Sequence, residues 1–205
     1  GLQFGNYYRL DLSKQSRKNI KPKHKLGESP LRFNWQTPIL ISPHNQDIIY
    51  FGSNKLHRSF NMGDDWENIS GDLTQGGKKG NVPYGTIASF DESTFSFGKI
   101  VVGSDDGKVS LTENSGNTWK DIGNNLPKDL WVSRVIFSKI DSNKIYLTFN
   151  GYRINDFNPY VFVSNDNGET WRNISSNLPL LIFIIFSLLL IKEVQVHLAP
   201  QKTIN

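Results

Sequence analysis

Short runs of apolar, β-branched and aromatic residues recur along this chain in sets of three, each run bounded by turn-forming residues. The first runs of the sets cover residues 38–42, 86–90 and 132–138. The second cover 48–52, 99–103 and 144–149, and the third 55–59, 108–112 and 160–164. A fourth stretch opens each time at a tryptophan, namely Trp66, Trp119 and Trp171. Helical periodicity is almost absent, so the pattern predicts an all-β chain in which every set supplies four antiparallel strands, A to D.

The connection from the third to the fourth stretch is itself a repeat. Ser59-Phe-Asn61-Met-Gly63-Asp-Asp65-Trp66 returns as Thr112-Glu-Asn114-Ser-Gly116-Asn-Thr118-Trp119, and again as Ser164-Asn-Asp166-Asn-Gly168-Glu-Thr170-Trp171. The spacings are 53 and 52 residues. Four short strands at that period describe a β-propeller blade. Glycine at the fifth position of the repeat permits the positive φ of a tight C–D hairpin. Asp166, like Asn61 and Asn114, suits bonds to the amides of its own turn, closed by the hydroxyl of Ser164, Ser59 or Thr112. The tryptophan then places a large ring between neighbouring sheets. The expected roles of all these residues are structural.

The expected fold is therefore a partial β-propeller: three four-stranded blades at about 32–70, 84–123 and 131–175, preceded by half a blade within 1–20. Together these make an incomplete propeller over 1–179, and three and a half blades describe a fragment that begins inside a longer protein. Residues 180–205 leave the repeat. The run 180–191 is apolar except for Ser187 and shorter than the roughly 20 residues of a membrane span. A frameshift or truncation product is the preferred reading of this tail. A buried strand and a short hydrophobic anchor are the alternatives, so membrane association stays open.

The motif Ser-x-Asp-x-Gly-x-Thr-Trp resembles the Asp box, or bacterial neuraminidase repeat, of sialidases, xyloglucanase-type glycosidases and sortilin-type receptor domains. Residues 164–171 match every defined position; Thr112 and Asn114 depart in the second copy, Asn61 and Asp65 in the first. The run Arg32-Phe-Asn-Trp-Gln-Thr-Pro38, with Ser42-Pro-His44, Ile49-Tyr-Phe-Gly52 and Arg58-Ser59, resembles bacterial proteins of the sortilin-like and glycosyl-hydrolase-labelled kind. So do Trp131-Val-Ser-Arg134 and Pro159-Tyr-Val-Phe162. The resemblance implies an extracytoplasmic protein, periplasmic, surface-bound or secreted. Because the same propeller hosts hydrolases, receptors and assembly factors, it leaves the activity undecided.

Composition and charge narrow the classes further. The formal charge of +4 invites a nucleic-acid partner, but Lys14, Arg17, Lys18, Lys21, Lys23 and Lys25 carry six positive charges within twelve residues. Without them the remainder is at −2, so the basic character is one local segment and no nucleic-acid partner is expected. Cysteine is absent and the four histidines, at 24, 44, 57 and 197, lack ligand spacing, so neither metal nor cofactor is expected. Asp105-Asp106-Gly107 lacks the further ligands of a calcium loop and reads as a B–C turn.

Two classes of function remain. The first is a binding module for a peptide, protein or carbohydrate ligand. The alternative is a fragment of a sialidase- or xyloglucanase-like glycoside hydrolase, which needs two carboxylates about 5–9.5 Å apart. Its acidic candidates are Asp72, Asp105, Asp106, Asp129 and Asp156, none of which the sequence forces into a pair. In a blade the A–B and C–D turns share one rim, which leaves the B–C turns and D-to-A links for function on the other. Long irregular segments at 21–37, 71–85, 123–131 and 150–159 belong to that second rim. They deliver Trp35, Tyr84 and Trp131, with Asn34, Arg134, Arg153 and Asp156 expected nearby. Flat rings beside a few polar groups suit a carbohydrate or peptide.

Overall fold

A computed structural model describes residues 1–79 and 84–176. It is all β apart from one turn of 3₁₀ helix. Strands β1 (Tyr8–Asp11) and β2 (Ser16–Asn19) pair as a two-stranded sheet. The first four-stranded sheet comprises β3 (Ile39–Ile41), β4 (Ile49–Gly52), β5 (Leu56–Ser59) and β6 (Glu67–Asn68). The second comprises β7 (Ile87–Glu92), β8 (Ile100–Ser104), β9 (Val109–Thr112) and β10 (Lys120–Asp121). The third comprises β11 (Trp131–Phe137), β12 (Ile145–Gly151), β13 (Asp156–Ser164) and β14 (Arg172–Asn173). Each is an antiparallel meander in simple chain order, as a propeller blade requires. The apolar tail at 180–205 and the segment 80–83 lie outside the described residues.

Burial follows position in the blade. The middle strands β4, β8 and β9 are buried along their whole length, because a neighbouring blade covers each face. The outer strands β6, β10 and β14 are two residues long and exposed, which leaves little free edge. Two apolar cores lie between blades. One joins Tyr50, Leu56 and Ile69 to Ile87 and Ile100, and the other joins Val101 and Ile122 to Val135 and Phe149.

The C–D turns form the expected network. In the third copy Ser164 Oγ donates to Asp166 Oδ1 at 2.7 Å and accepts from the Gly168 amide at 2.7 Å. Asp166 Oδ1 also accepts from the Thr170 amide at 2.9 Å, and its carboxyl is held down to about 2, chiefly by the Thr170 hydroxyl. Asn61 and Asn114 accept from the amides of Asp65 and Thr118 at the same 2.9 Å. Asn167 and Gly168 take consecutive positive φ values of 57° and 84°, the conformation of a primed hairpin turn.

These turns also lock the blades together. A Cβ on Gly63, Gly116 or Gly168 would strike Ile20, Ile69 or Ile122 respectively, each just beyond the outer strand of the preceding sheet. Trp119 Nε1 donates to the Ile69 carbonyl at 2.9 Å, and Trp171 Nε1 to the Ile122 carbonyl at 2.7 Å. Trp66 packs edge-on against Phe51 at 5.5 Å, yet its Nε1 is buried and meets no partner among the described residues. The half blade thus lacks the indole bond of the other junctions and is held by packing together with polar contacts from its strands, Arg9 donating to the Met62 carbonyl at 3.1 Å and to Asp64 at 2.8 Å and Lys18 to Asp64 at 2.6 Å.

Turn contacts confirm the two rims. The A–B turns bond to the C–D turns, as in Met62 N to Asp47 O and Ser115 N to Gly98 O, both 3.0 Å. At the opposite end B–C turns meet links, as in Leu73 N to Asn54 O at 3.0 Å and Ile87 N to Ser53 O at 2.7 Å. One expectation needs correction: 150–159 is not an irregular loop. After a bulge, β12 and β13 continue to a pair between Gly151 and Asp156, leaving only the 3₁₀ turn Tyr152–Ile154 and Asn155.

Three outcomes follow from these contacts. Trp119→Phe and Trp171→Phe each strand a carbonyl and should cost about 1 kcal/mol more than Trp66→Phe, read from urea midpoints. Gly168→Val forces a β-branched residue into positive φ and onto Ile122, and should destabilise by about 1–3 kcal/mol in the same measurement. His57 is 1% exposed and bonds Ser53 Oγ at 2.8 Å; burial pulls its pKa down to about 4, with the nearby Lys55 charge acting in the same direction. Its neutral form stabilises the fold fully above the unfolded value near 6.5, and that contribution, about 3 kcal/mol, is lost as pH falls towards 4. His57→Gln should therefore flatten the stability profile between those pH values.

Candidate functional site

The rim of B–C turns and links is held by buried polar side chains. Asp105 Oδ1 accepts from the amides of Gly85 and Thr86 at 2.9 Å, and its Oδ2 from the Thr86 hydroxyl at 2.9 Å. Burial pushes the Asp105 carboxyl up, against the pull of these donors. Asp106 accepts from the Gln75 amide at 2.8 Å and from Ser104 Oγ. Arg32 donates to Gly85 O at 2.9 Å and to Asp72 at 2.7 Å, joining both ends of the link between the first two four-stranded blades. Asn34, expected at the opening, is buried instead and donates to the Thr86 hydroxyl at 2.9 Å.

This scaffold delivers Tyr84 to a cluster built on the third blade. Trp131 opens strand β11, and Arg153 sits in the 3₁₀ turn between β12 and β13. The guanidinium carbon of Arg153 lies 3.8 Å from the Trp131 ring centre, 4.7 Å from that of Tyr84 and 5.9 Å from that of Tyr152. Its Nε donates to the Tyr152 hydroxyl at 3.3 Å. No carboxylate pairs with it among the described residues. A guanidinium lying over aromatic faces keeps its edge for in-plane hydrogen bonds. Arg153 Nη1 is buried with no partner among the described residues, and so is Oδ1 of Asn150, which stands opposite Trp131 in the sheet.

The other expected members lie apart. Asp156 does not pair with Arg153; it caps its own strand start, accepting from the Tyr160 hydroxyl at 2.6 Å and from Asn158, whose donors hold its carboxyl below the ordinary range. Arg134 is exposed on the inner strand opposite Thr148, where its charge acts on Asp91. Trp35, 47% exposed, packs edge-on against Phe4 at 5.3 Å and lines a separate open cleft with Tyr7 and Gln36. Sequence spacing missed Asn150, which the continued β12–β13 hairpin places opposite Trp131, and Tyr152, which meets Arg153.

The carboxylates considered for hydrolysis are all engaged. Asp72 pairs with Arg32, Asp129 with Lys78 at 3.0 Å and Asp156 with Tyr160, while Asp105 and Asp106 hold the link. On the opposite rim Glu92 is fully buried, accepting from Ser42 Oγ at 2.6 Å and from Tyr50 OH and the Gly98 amide at 2.8 Å. Burial, with the Glu92 carboxylate beside it, pushes the Tyr50 hydroxyl up. This knot joins the first two four-stranded blades. Among the described residues no cluster of three or more histidines and carboxylates could hold a metal ion, and no helix is long and apolar enough to cross a membrane.

No protein-family model matches the sequence, and no curated protein matches it. Solved structures do match. The Dos1 propeller aligns with a TM-score of 0.56 over 84% of this chain and 44% of that one, at 14% identity. The GH74 xyloglucanase of Xanthomonas campestris aligns with a TM-score of 0.52 over 67% of this chain and 22% of that one, at 21% identity. A structure of YCF48 bound to D1 peptide aligns at 0.42 over 67% and 44%, with 12% identity. This chain spans less than half the length of each. The chain has the fold of part of a β-propeller.

Proposed function

We propose that this chain is a binding module, a piece of a sortilin-like Asp-box propeller that recognises a peptide, protein or carbohydrate ligand on the rim of B–C turns and links. The observation that carries this reading is Arg153, lying over the rings of Trp131 and Tyr84 with a donor that meets no partner among the described residues. A buried donor without an acceptor is costly, so a ligand acceptor that reaches it gains more than one meeting a solvated side chain. The engagement of all five acidic candidates in bonds within the chain supports binding over glycoside hydrolysis. Export from the cytoplasm belongs to the same proposal and rests on the Asp-box resemblance.

Selection of peptide libraries and a glycan array against the full chain tests it. Binders should lose about tenfold or more in affinity with Arg153→Ala or Trp131→Ala, about 1.4 kcal/mol, and little with Trp35→Ala. Binders indifferent to both rim substitutions in folded protein, or hydrolysis of an array glycan by the chain, would overturn the proposal.

A further inference from the structure

Buried side-chain atoms without a hydrogen-bond partner are rare, and the described residues hold three: Trp66 Nε1, Asn150 Oδ1 and Arg153 Nη1. Two of the three flank one ring. Asn150 is the cross-strand partner of Trp131, and Arg153 stacks on its face at 3.8 Å. One orphan is an acceptor and the other a donor. An amide group, with its own carbonyl and N–H, complements that pair. A carboxylate does not, since it would satisfy Arg153 while setting a second negative oxygen against Asn150 Oδ1. A sugar ring stacking on the Trp131 face that carries Arg153 would have to displace the guanidinium.

The surroundings favour a peptide as the source of the amide. Tyr152, Ile154 and Phe157, on the same hairpin, are 56%, 63% and 52% exposed. Side chains of that size on one hairpin offer apolar contact beside the two unpartnered polar atoms. We propose that Asn150, Trp131 and Arg153 form a subsite for a peptide amide, whose carbonyl accepts from Arg153 Nη1 and whose N–H donates to Asn150 Oδ1. An apolar side chain of the peptide then lies against Tyr152, Ile154 and Phe157. This rests on the binding role proposed above for the same rim and specifies the chemistry that the rim selects.

The test follows the Trp131 indole, the Asn150 carboxamide and the Arg153 Nε–H by ¹H–¹⁵N NMR of the full chain. The probes are N-acetylphenylalaninamide, acetate and cellobiose. The amide should shift all three signals, while acetate and cellobiose at equal concentration leave them in place. Asn150→Leu and Arg153→Lys should each weaken the amide response about tenfold. Asn150→Ser serves as the second variant should leucine disturb the spectrum of the fold. If acetate or cellobiose shifts these signals and the amide does not, the amide assignment falls while the rim remains a binding surface. If no probe moves them, both fall. An amide response unchanged in the variants places the contact elsewhere and overturns the subsite.

Discussion

The rest of the structure depends on the contact between each C–D turn and the isoleucine that follows the outer strand of the sheet before it. A single sheet of this size is apolar on both faces and cannot bury either alone. The glycine of the turn lets the backbone approach the isoleucine with no intervening Cβ, and the tryptophan three residues later covers it. The indole N–H then closes the contact on the isoleucine carbonyl in the two junctions between full blades. Because tryptophan and isoleucine belong to one Trp-x-x-Ile segment, the first two copies both dock backward and receive the copy that follows. The repeat is therefore a coupling device as much as a hairpin.

Apolar packing alone would let the sheets slide, since it is non-directional. Directional bonds at both rims prevent that. Glu92 ties Ser42 and Tyr50 to the Gly98 turn at one end; at the other Asp105 fixes Gly85 and Thr86, which Arg32 and Asn34 bond from the blade before. Both carboxylates are buried and saturated with donors, which is the condition for a buried charge to be tolerated. Arg32 and Asn34 extend the second knot, so the link that ends at Tyr84 reaches the third blade from a fixed root.

The rim cluster inverts this rule. Arg153 lies over the rings of Trp131 and Tyr84 but has no carboxylate partner among the described residues. Cation–π contact offsets part of the cost of burying the charge, yet it uses the faces of the guanidinium and not its edge. Elsewhere in the described chain, polar groups that are buried are almost all spent on holding blades and links together. The departure beside Trp131 is confined to one hairpin, the longest middle-strand hairpin of the three blades.

The sequence by itself determined the all-β class, the strands of each four-stranded blade to within a few residues and the internal chemistry of the C–D turns. These are set by local alternation, by glycine and by side chains bonding two to four residues away. It also separated the two rims, because strand order within a meander dictates which turns share an end. What it could not determine was which distant residues meet. Asn34, Trp35, Arg134 and Asp156 all fall on or near the expected rim by position, yet Asn34 is buried against Thr86, Asp156 bonds Tyr160, Trp35 packs on Phe4 and Arg134 stands exposed on the inner strand. The half blade likewise leaves Trp66 without the bond its two counterparts make, although its turn has the same pattern. Side-chain direction at a bulge, the reach of a hairpin and the tilt between sheets settle such pairings. Those quantities arise only when the blades pack, so Tyr84, Trp131 and Arg153, which the sequence could place on one rim, acquire their contact geometry from tertiary structure.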